Sequence, residues 1–309
     1  MNVEVNFHLF SAYCGMYLSG YDLMDRSDEI VRDIVEKLEK FSISADAKAF
    51  FSAARTDSVA VNPYYPRGSD LSVACFFVDR TWEEYLDFLT VCESPEREDP
   101  DFLRWIARLP DVLQEIESYP LLSDLFGHYR QKVEQRFLNQ IPSEGDWYRI
   151  LKRLPTTKHS IQIRFAPNLL QMPYLADFVL LGKQLFVISR EFSVSSAIHE
   201  ILHISLKEEV DGIRTLLERK GLEYFVRPNL LRQTGYLWDT SENSKIHAVE
   251  ECIIRAVSGL MDDALQRDEY EENNRCLGFF SVAKLMRFLE TIPFHQMTWG
   301  EVLRCLQNL

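Results

Sequence analysis

The sequence lacks the cysteine patterns that mark thiol-based metal sites and redox centres. Its six cysteines, at positions 14, 75, 92, 252, 276 and 305, include no C-x-x-C pair. A cysteine-type zinc site and a thioredoxin-type motif are therefore not indicated, and free, reduced thiols are expected.

Positive charge is also scarce. The 34 Lys and Arg residues are outnumbered by 47 Asp and Glu residues, which gives a net charge of -13. This balance argues against a surface that binds nucleic acid or an anionic membrane. No apolar stretch reaches the length of a membrane span, and the first residues, MNVEVNFH, lack the basic and apolar regions of a signal peptide. We therefore expect a cytoplasmic protein that interacts with neither nucleic acid nor membranes.

The composition is that of a globular protein with a substantial core, since 46% of the residues are hydrophobic and 26% are charged. Helical periodicity dominates the chain, so we predict an α+β fold that is mostly helical, with a small mixed or antiparallel sheet. Residues 1–155 are expected to form a mostly helical N-terminal region and residues 156–309 a catalytic region. The two could also form one continuous unit.

Three segments are predicted to form strands. Ser160–Phe165 alternates between polar and apolar residues, and Ala176–Ser189 reads as a hairpin that turns near Gly182-Lys183. The continuous apolar run Leu71–Val78 is typical of a buried strand. The predicted sheet is expected to flank the helix that follows the hairpin.

That helix carries the pattern His199-Glu200-x-x-His203. Residues four apart lie on one face of a helix, so both imidazoles can reach one metal ion, while Glu200 can take a proton from a water that the metal activates. Apolar residues at helical spacing and serines at 193, 195 and 196, which are candidates for the N-cap, support a helix here. The alternative is an ordinary helix with two exposed histidines.

A third metal ligand must come from elsewhere in the chain, because a catalytic zinc ion usually has three protein ligands. Leu at position 206 and Glu at position 209 exclude the H-E-x-x-H-x-x-G-x-x-H arrangement. The apolar segment Ile246–Val257 contains two acidic residues, Glu250 and Glu251, and a buried carboxylate is costly unless it is paired or bound to a metal. Helical spacing alone leaves both open.

H-E-x-x-H followed by a glutamate on a later helix resembles the gluzincin class of zinc metallopeptidases. The layout also resembles uncharacterised bacterial zincin-like families that have a Glu-x-x-x-Arg-Ala helix, which Glu251 to Ala256 matches. This resemblance implies Glu251 as the third ligand, with Glu250 as the alternate. The sequence departs from the well-known Asn-Glu-x-x-x-Asp form, because Glu250 replaces Asn and Arg255 replaces Asp.

The resemblance implies Zn²⁺ as cofactor, a peptide or protein as substrate and Glu200 as general base. His247, Tyr236 and Arg255 are candidates for stabilising the oxyanion, and Arg255 is also a candidate for an ion pair that orients a ligating carboxylate. Two other hypotheses stay open. One is a zincin-like interaction or regulatory protein with a vestigial or structural metal site, and the other is a zinc hydrolase that acts on a non-peptide amide.

Overall fold

The structure is a computed structural model, which describes residues 2–54, 66–92, 94–156, 162–173, 175–234, 236–237 and 239–309. It is 64% helical and contains a four-stranded mixed sheet, which confirms the predicted α+β class. The chain forms two compact units. Unit 1 comprises Met1–Ser58, Pro63–Ile141 and Ile161–Phe192, and unit 2 comprises Val59–Asn62, Pro142–Ser160 and Ser193–Leu309. The division into residues 1–155 and 156–309 stays a prediction, because compactness does not show which part folds by itself.

Unit 1 consists of eight described α-helices, one short 3-10 helix and the sheet. The α-helices are α1 (Phe7–Leu18), α2 (Glu29–Leu38), α3 (Ala45–Ser52), α4 (Pro66–Ala74), α5 (Trp82–Val91), α6 (Pro100–Ile106), α7 (Leu109–Glu117) and α8 (Pro120–Gln140), and the 3-10 helix is Pro95–Glu98. Their apolar faces meet in one large aromatic and aliphatic core that also contacts the sheet. Hydrophobic burial is the main favourable contribution to such a fold.

The strands are β1 (Asn2–Val3), β2 (Gln162–Pro167), β3 (Ala176–Leu181) and β4 (Gln184–Ser189). Their order is β1-β2-β4-β3, with β1 and β4 parallel to β2 and with β3 antiparallel to β4. The predicted hairpin is confirmed, and its turn contains Gly182 at φ 60°, a backbone conformation that favours glycine. The predicted strand that begins at Ser160 is confirmed from residue 162, while residues 160 and 161 lie outside the described part.

The prediction of a strand over Leu71–Val78 is wrong. The segment continues α4 to Ala74 and then turns. Leu71, Ala74 and Cys75 are all buried, and their spacing of three and four places them on one face of the helix. A short apolar run does not distinguish a strand from a buried helix, and here the packing of α4 on α1 and on β3 favours the helix.

The regular elements described in unit 2 are all helices, apart from an isolated β-bridge between Thr156 and Thr298. Its α-helices are α9 (Glu144–Leu151), α10 (Val194–Leu206), α11 (Val210–Lys220), α12 (Leu222–Phe225), α13 (Pro228–Thr234), α14 (Glu242–Met261), α15 (Arg267–Leu277), α16 (Val282–Leu289) and α17 (Trp299–Leu306), and its 3-10 helices are Lys207–Glu209 and Phe294–Gln296. In neither unit does any described helix have the length and apolar character that crossing a membrane requires.

Helix α14 lies at the centre of unit 2 and packs against α10, α11, α12 and α16. Its side chains are buried almost all round, which is the pattern of a core helix. Ser241 begins the helix, because its hydroxyl accepts a hydrogen bond from the backbone N–H of Ser244. Helix α10 packs along α14. Helix α10 carries His199, Glu200 and His203, and α14 carries Glu250 and Glu251.

Candidate metal centre

Helix α10 confirms the helix predicted around the H-E-x-x-H pattern. Ser193 is its N-cap, and the Ser193 hydroxyl accepts a hydrogen bond from the backbone N–H of Ser196 at 3.3 Å. The backbone N–H of Ser195 donates to Asp262, directly after α14, at 3.2 Å. These bonds satisfy backbone donors that a helix leaves unpaired in its first turn. Because the start of α10 meets the end of α14, the two helices are antiparallel.

The two histidines of the pattern lie on the face of α10 that meets α14. Their ring centroids are 5.0 Å apart. The Nε2 atoms of His199 and His203 lie 3.5 Å and 3.2 Å from the same atom, Oε1 of Glu251. Within the described residues, His199, His203 and Glu251 form the group whose donor atoms converge closely enough to hold a metal ion, all within 4.8 Å of one another.

Glu251 is ionised although it is only 4% exposed. Burial by itself would raise the pKa of this carboxyl, because a charged group is costly away from water. The charges of His199 and Arg255, together with hydrogen bonds from His199 and His203, outweigh burial and hold the pKa of Glu251 well below its usual range. The side chain is therefore a deprotonated oxygen donor.

The two histidines differ in their surroundings. Burial lowers the pKa of His199, against the opposing influence of Glu251. Burial acts in the same direction on His203, but the carboxylates of Glu250 and Glu251 outweigh it and raise the pKa of His203 to about 10. A metal ion would compete with a proton for this imidazole, because a histidine binds metal in its neutral form.

Glu250, the alternate third ligand, lies on the other side of the His203 ring. Its Oε1 is 3.7 Å from Nδ1 of His203, which is longer than a hydrogen bond but within the range of an ion pair. That oxygen is buried and has no hydrogen-bond partner. Glu250 is thus placed as a carboxylate that could orient a ligating imidazole through its second nitrogen, a common arrangement around protein metals.

Glu200, the expected general base, is on α10 between the two histidines and is only 6% exposed. Its charge is one of the influences that raise the pKa of His203.

The three side chains considered as oxyanion donors have different neighbours. The ring of His247 stacks on that of His203, with centroids 6.3 Å apart and an angle of 11° between the planes. The Tyr236 hydroxyl accepts a hydrogen bond of 2.8 Å from Nη2 of Arg255. Arg255 donates from Nε to Oε2 of Glu251 at 3.1 Å, which is the ion pair that the sequence suggested.

Two further contacts of Arg255 are not predictable from the sequence pattern. Its Nη1 donates to Oδ1 of Asn274 at 3.1 Å, and its backbone oxygen accepts a hydrogen bond of 2.8 Å from the hydroxyl of Tyr270. Both partners belong to α15, which reads as a charged surface helix. The sequence of α15 is polar on nearly every side, so its pattern does not single out Tyr270 or Asn274 as a partner.

Comparisons with known proteins assign no family. No family model matches the sequence, and no curated protein or solved structure matches it either. The centre is therefore interpreted from its own chemistry.

Proposed function

We propose that this chain is a zinc-dependent hydrolase that cleaves peptide bonds. The observation that carries the proposal is the convergence of two imidazole nitrogens and one carboxylate oxygen, with Glu200 on the same helix as the imidazoles. Two histidines and a glutamate are a ligand set found in zinc peptidases, and the set leaves a coordination position for water or substrate.

Two of the three separations between the donor atoms fit zinc, and all three lie within 4.8 Å. With bonds of about 2.0–2.2 Å and tetrahedral angles, two zinc ligands lie roughly 3.4 Å apart. The separations of 3.5 Å and 3.2 Å between the histidine Nε2 atoms and Glu251 Oε1 are close to this value. Two nitrogen donors also favour a transition metal over Ca²⁺ or Mg²⁺, which prefer oxygen.

A bound zinc ion would supply Lewis-acid chemistry, polarising a substrate carbonyl and lowering the pKa of water at the site. His199, His203 and Glu251 would hold the ion, and Glu250 would fix the orientation of the His203 ring. Glu200 would accept the proton of the attacking water and pass it to the leaving amine. His247 and Tyr236 are the candidates to donate a hydrogen bond to the oxyanion, since the Tyr236 hydroxyl accepts a hydrogen bond from Arg255 and keeps its own hydrogen to donate.

The test combines metal content with peptide cleavage. Purified wild type, without added metal, is expected to contain about one zinc per chain and to cleave members of a peptide library. Glu200→Gln is expected to keep the metal and to lose about 10²–10⁴-fold in rate, the usual contribution of a general acid–base group. The exposed His295→Ala serves as control for metal content, because His295 lies outside the cluster.

Three outcomes would contradict the proposal in different ways. Absence of metal from the wild type, even after zinc is supplied, would remove the hydrolase interpretation. Bound zinc without cleavage of any peptide would favour the non-catalytic interaction protein or, if simple amides are hydrolysed, the non-peptide amidase. Equal activity of wild type and Glu200→Gln would remove Glu200 from the reaction.

A further inference from the structure

The two oxygens of the Glu251 carboxylate have separate partners. Oε1 faces the Nε2 atoms of His199 and His203 at 3.5 Å and 3.2 Å. Oε2 accepts a hydrogen bond of 3.1 Å from Nε of Arg255. The carboxylate thus presents one oxygen to the histidines and the other to a guanidinium.

Arg255 is itself held from several sides. Besides Glu251, its guanidinium donates to Asn274 and Tyr236 at 3.1 Å and 2.8 Å. It also lies over the aromatic ring of Phe279, 4.4 Å from the ring centroid. The side chain is only 13% exposed, so little water is available to replace these contacts. A guanidinium with this many fixed partners is a rigid anchor for Oε2.

We propose that Arg255 is a positioning residue that restricts Glu251 to binding a metal ion through one oxygen. The inference rests on the proposed function, because it concerns how the proposed zinc ligand binds. A carboxylate whose two oxygens are both free can bind a metal through both of them, as carboxylates do with Ca²⁺. Here the second oxygen is already bonded, so Glu251 occupies one coordination position and another stays open for water.

The open position matters for catalysis. A hydrolytic zinc ion with three protein ligands needs a fourth position for water or substrate, whereas a fully occupied site is structural. A second bond from Glu251 would take up that position or crowd it. Arg255 therefore has a role that concerns the coordination number of the metal and not only the stability of unit 2.

The number of ligands can be measured with cobalt. The whole chain is freed of metal with a chelator and loaded with one equivalent of Co²⁺, whose visible absorption is intense in four-coordinate sites and weak in sites with more ligands. The wild type is expected to give the intense spectrum. Arg255→Met, which keeps an unbranched side chain but removes every donor, is expected to lose most of that intensity.

Two further variants make the result specific. Arg255→Lys keeps a cation that can reach Oε2, so it is expected to restore most of the intensity. Tyr270→Phe removes the hydrogen bond to the backbone oxygen of Arg255 without touching the Glu251 carboxylate, and it is expected to match the wild type. A variant that only loosened the fold would not follow this order.

A folded Arg255→Met protein with the wild-type cobalt spectrum would overturn the inference. If Arg255→Met does not fold, the infrared difference between zinc-loaded and metal-free wild type decides, with isotopic labelling of the glutamate carboxyl groups identifying the carboxylate bands. The frequency separation of one-oxygen binding would support the inference, and that of two-oxygen binding would overturn it. A wild type that binds neither Co²⁺ nor Zn²⁺ would instead remove the proposed function, and the inference with it.

Discussion

Each unit contains a buried carboxylate, and the two are held in opposite ways. In unit 2, Glu251 is surrounded by two imidazoles and a guanidinium, which keep its pKa well below the usual range. Among the described residues of unit 1, the hydrogen-bond donors to Asp177 on β3 are neutral, and one of them is the amide of Gln171 at 2.8 Å. Burial outweighs the hydrogen bonds from the two serines near it and from Gln171, and it raises the pKa of Asp177 to about 6.

The difference shows what distinguishes a buried acid that could serve as a ligand from one that could not. Neutral donors do not compensate the loss of hydration of a carboxylate, so Asp177 is protonated more readily. Cationic partners do compensate the loss of hydration, so Glu251 keeps its negative charge and can bind a metal ion. Burial of an acid is therefore weak evidence for a metal site, and the charges around it are stronger evidence.

The largest expected effect is the loss of metal binding when Glu251 is neutralised. Glu251→Gln replaces an anionic donor by a neutral amide, so metal content should fall from about one per chain to nearly none. The loss in metal affinity should exceed the roughly 10–100-fold loss that is typical when a residue contacts a metal-binding side chain and not the metal itself. Asp177→Asn is the matched control, because it neutralises the other buried acid, and mass spectrometry should find its metal content unchanged. Equal metal loss in both variants would refute the distinction.

The next effect concerns stability and pH. Because the pKa of Asp177 is about 6 in the folded chain, above the ordinary aspartate value of 3.8, the folded state holds the proton more tightly. Its contribution to stability is complete below about pH 4 and is lost as the pH rises through 6, by about 3 kcal/mol. Asp177→Asn should match the wild type near pH 4 and exceed it at pH 8.

Urea unfolding followed by fluorescence between pH 3.5 and pH 8 measures this difference. Asp124→Asn, at an exposed position of α8, should leave the pH dependence as it is in the wild type. The burial argument for Asp177 fails if its variant and the wild type lose stability in parallel over the same range.

A smaller effect is expected at Glu250. Its Oε1 is 3.7 Å from Nδ1 of His203. Glu250→Gln should weaken zinc binding by about 10–100-fold while leaving a site that still fills at high zinc concentration, since outer partners tune a ligand without replacing it. Competition with a chelating dye gives the dissociation constant, and the exposed Glu218→Gln on α11 is the control. Complete loss of binding, as in Glu251→Gln, would make Glu250 a ligand.

The sequence could predict whatever depends on short-range pattern. The α10 helix, its Ser193 cap and the hairpin all follow from residues less than fifteen positions apart. The choice between Glu250 and Glu251 could not be made in this way, because it depends on which side of α14 faces α10. The partners of Arg255, at positions 236 and 274, are each 19 residues away and are brought together only by tertiary packing.

The smallest effect is expected at His8, which forms ion pairs near the surface of unit 1. His8 lies 2.8 Å from Glu117 and 3.1 Å from Asp79, and its side chain is 23% exposed. The hydrogen bond that His8 donates to Glu117 exceeds the opposing effect of burial, and with Asp79 it raises the pKa of His8 from 6.5 to about 9. The charged form is favoured in the folded state, so this contribution to stability is complete below pH 6.5 and is lost as the pH rises through about 9.

Solvent screening of Asp79, which is largely exposed, limits the contribution to about 1 kcal/mol or less. His8→Gln should therefore lower the melting temperature slightly at pH 6 and leave it unchanged at pH 10. The exposed His128→Gln on α8 should show no such difference between the two pH values. Equal destabilisation by His8→Gln at pH 6 and pH 10 would mean that the ring acts by packing, and the charge of His8 would then have no part in the stability of unit 1.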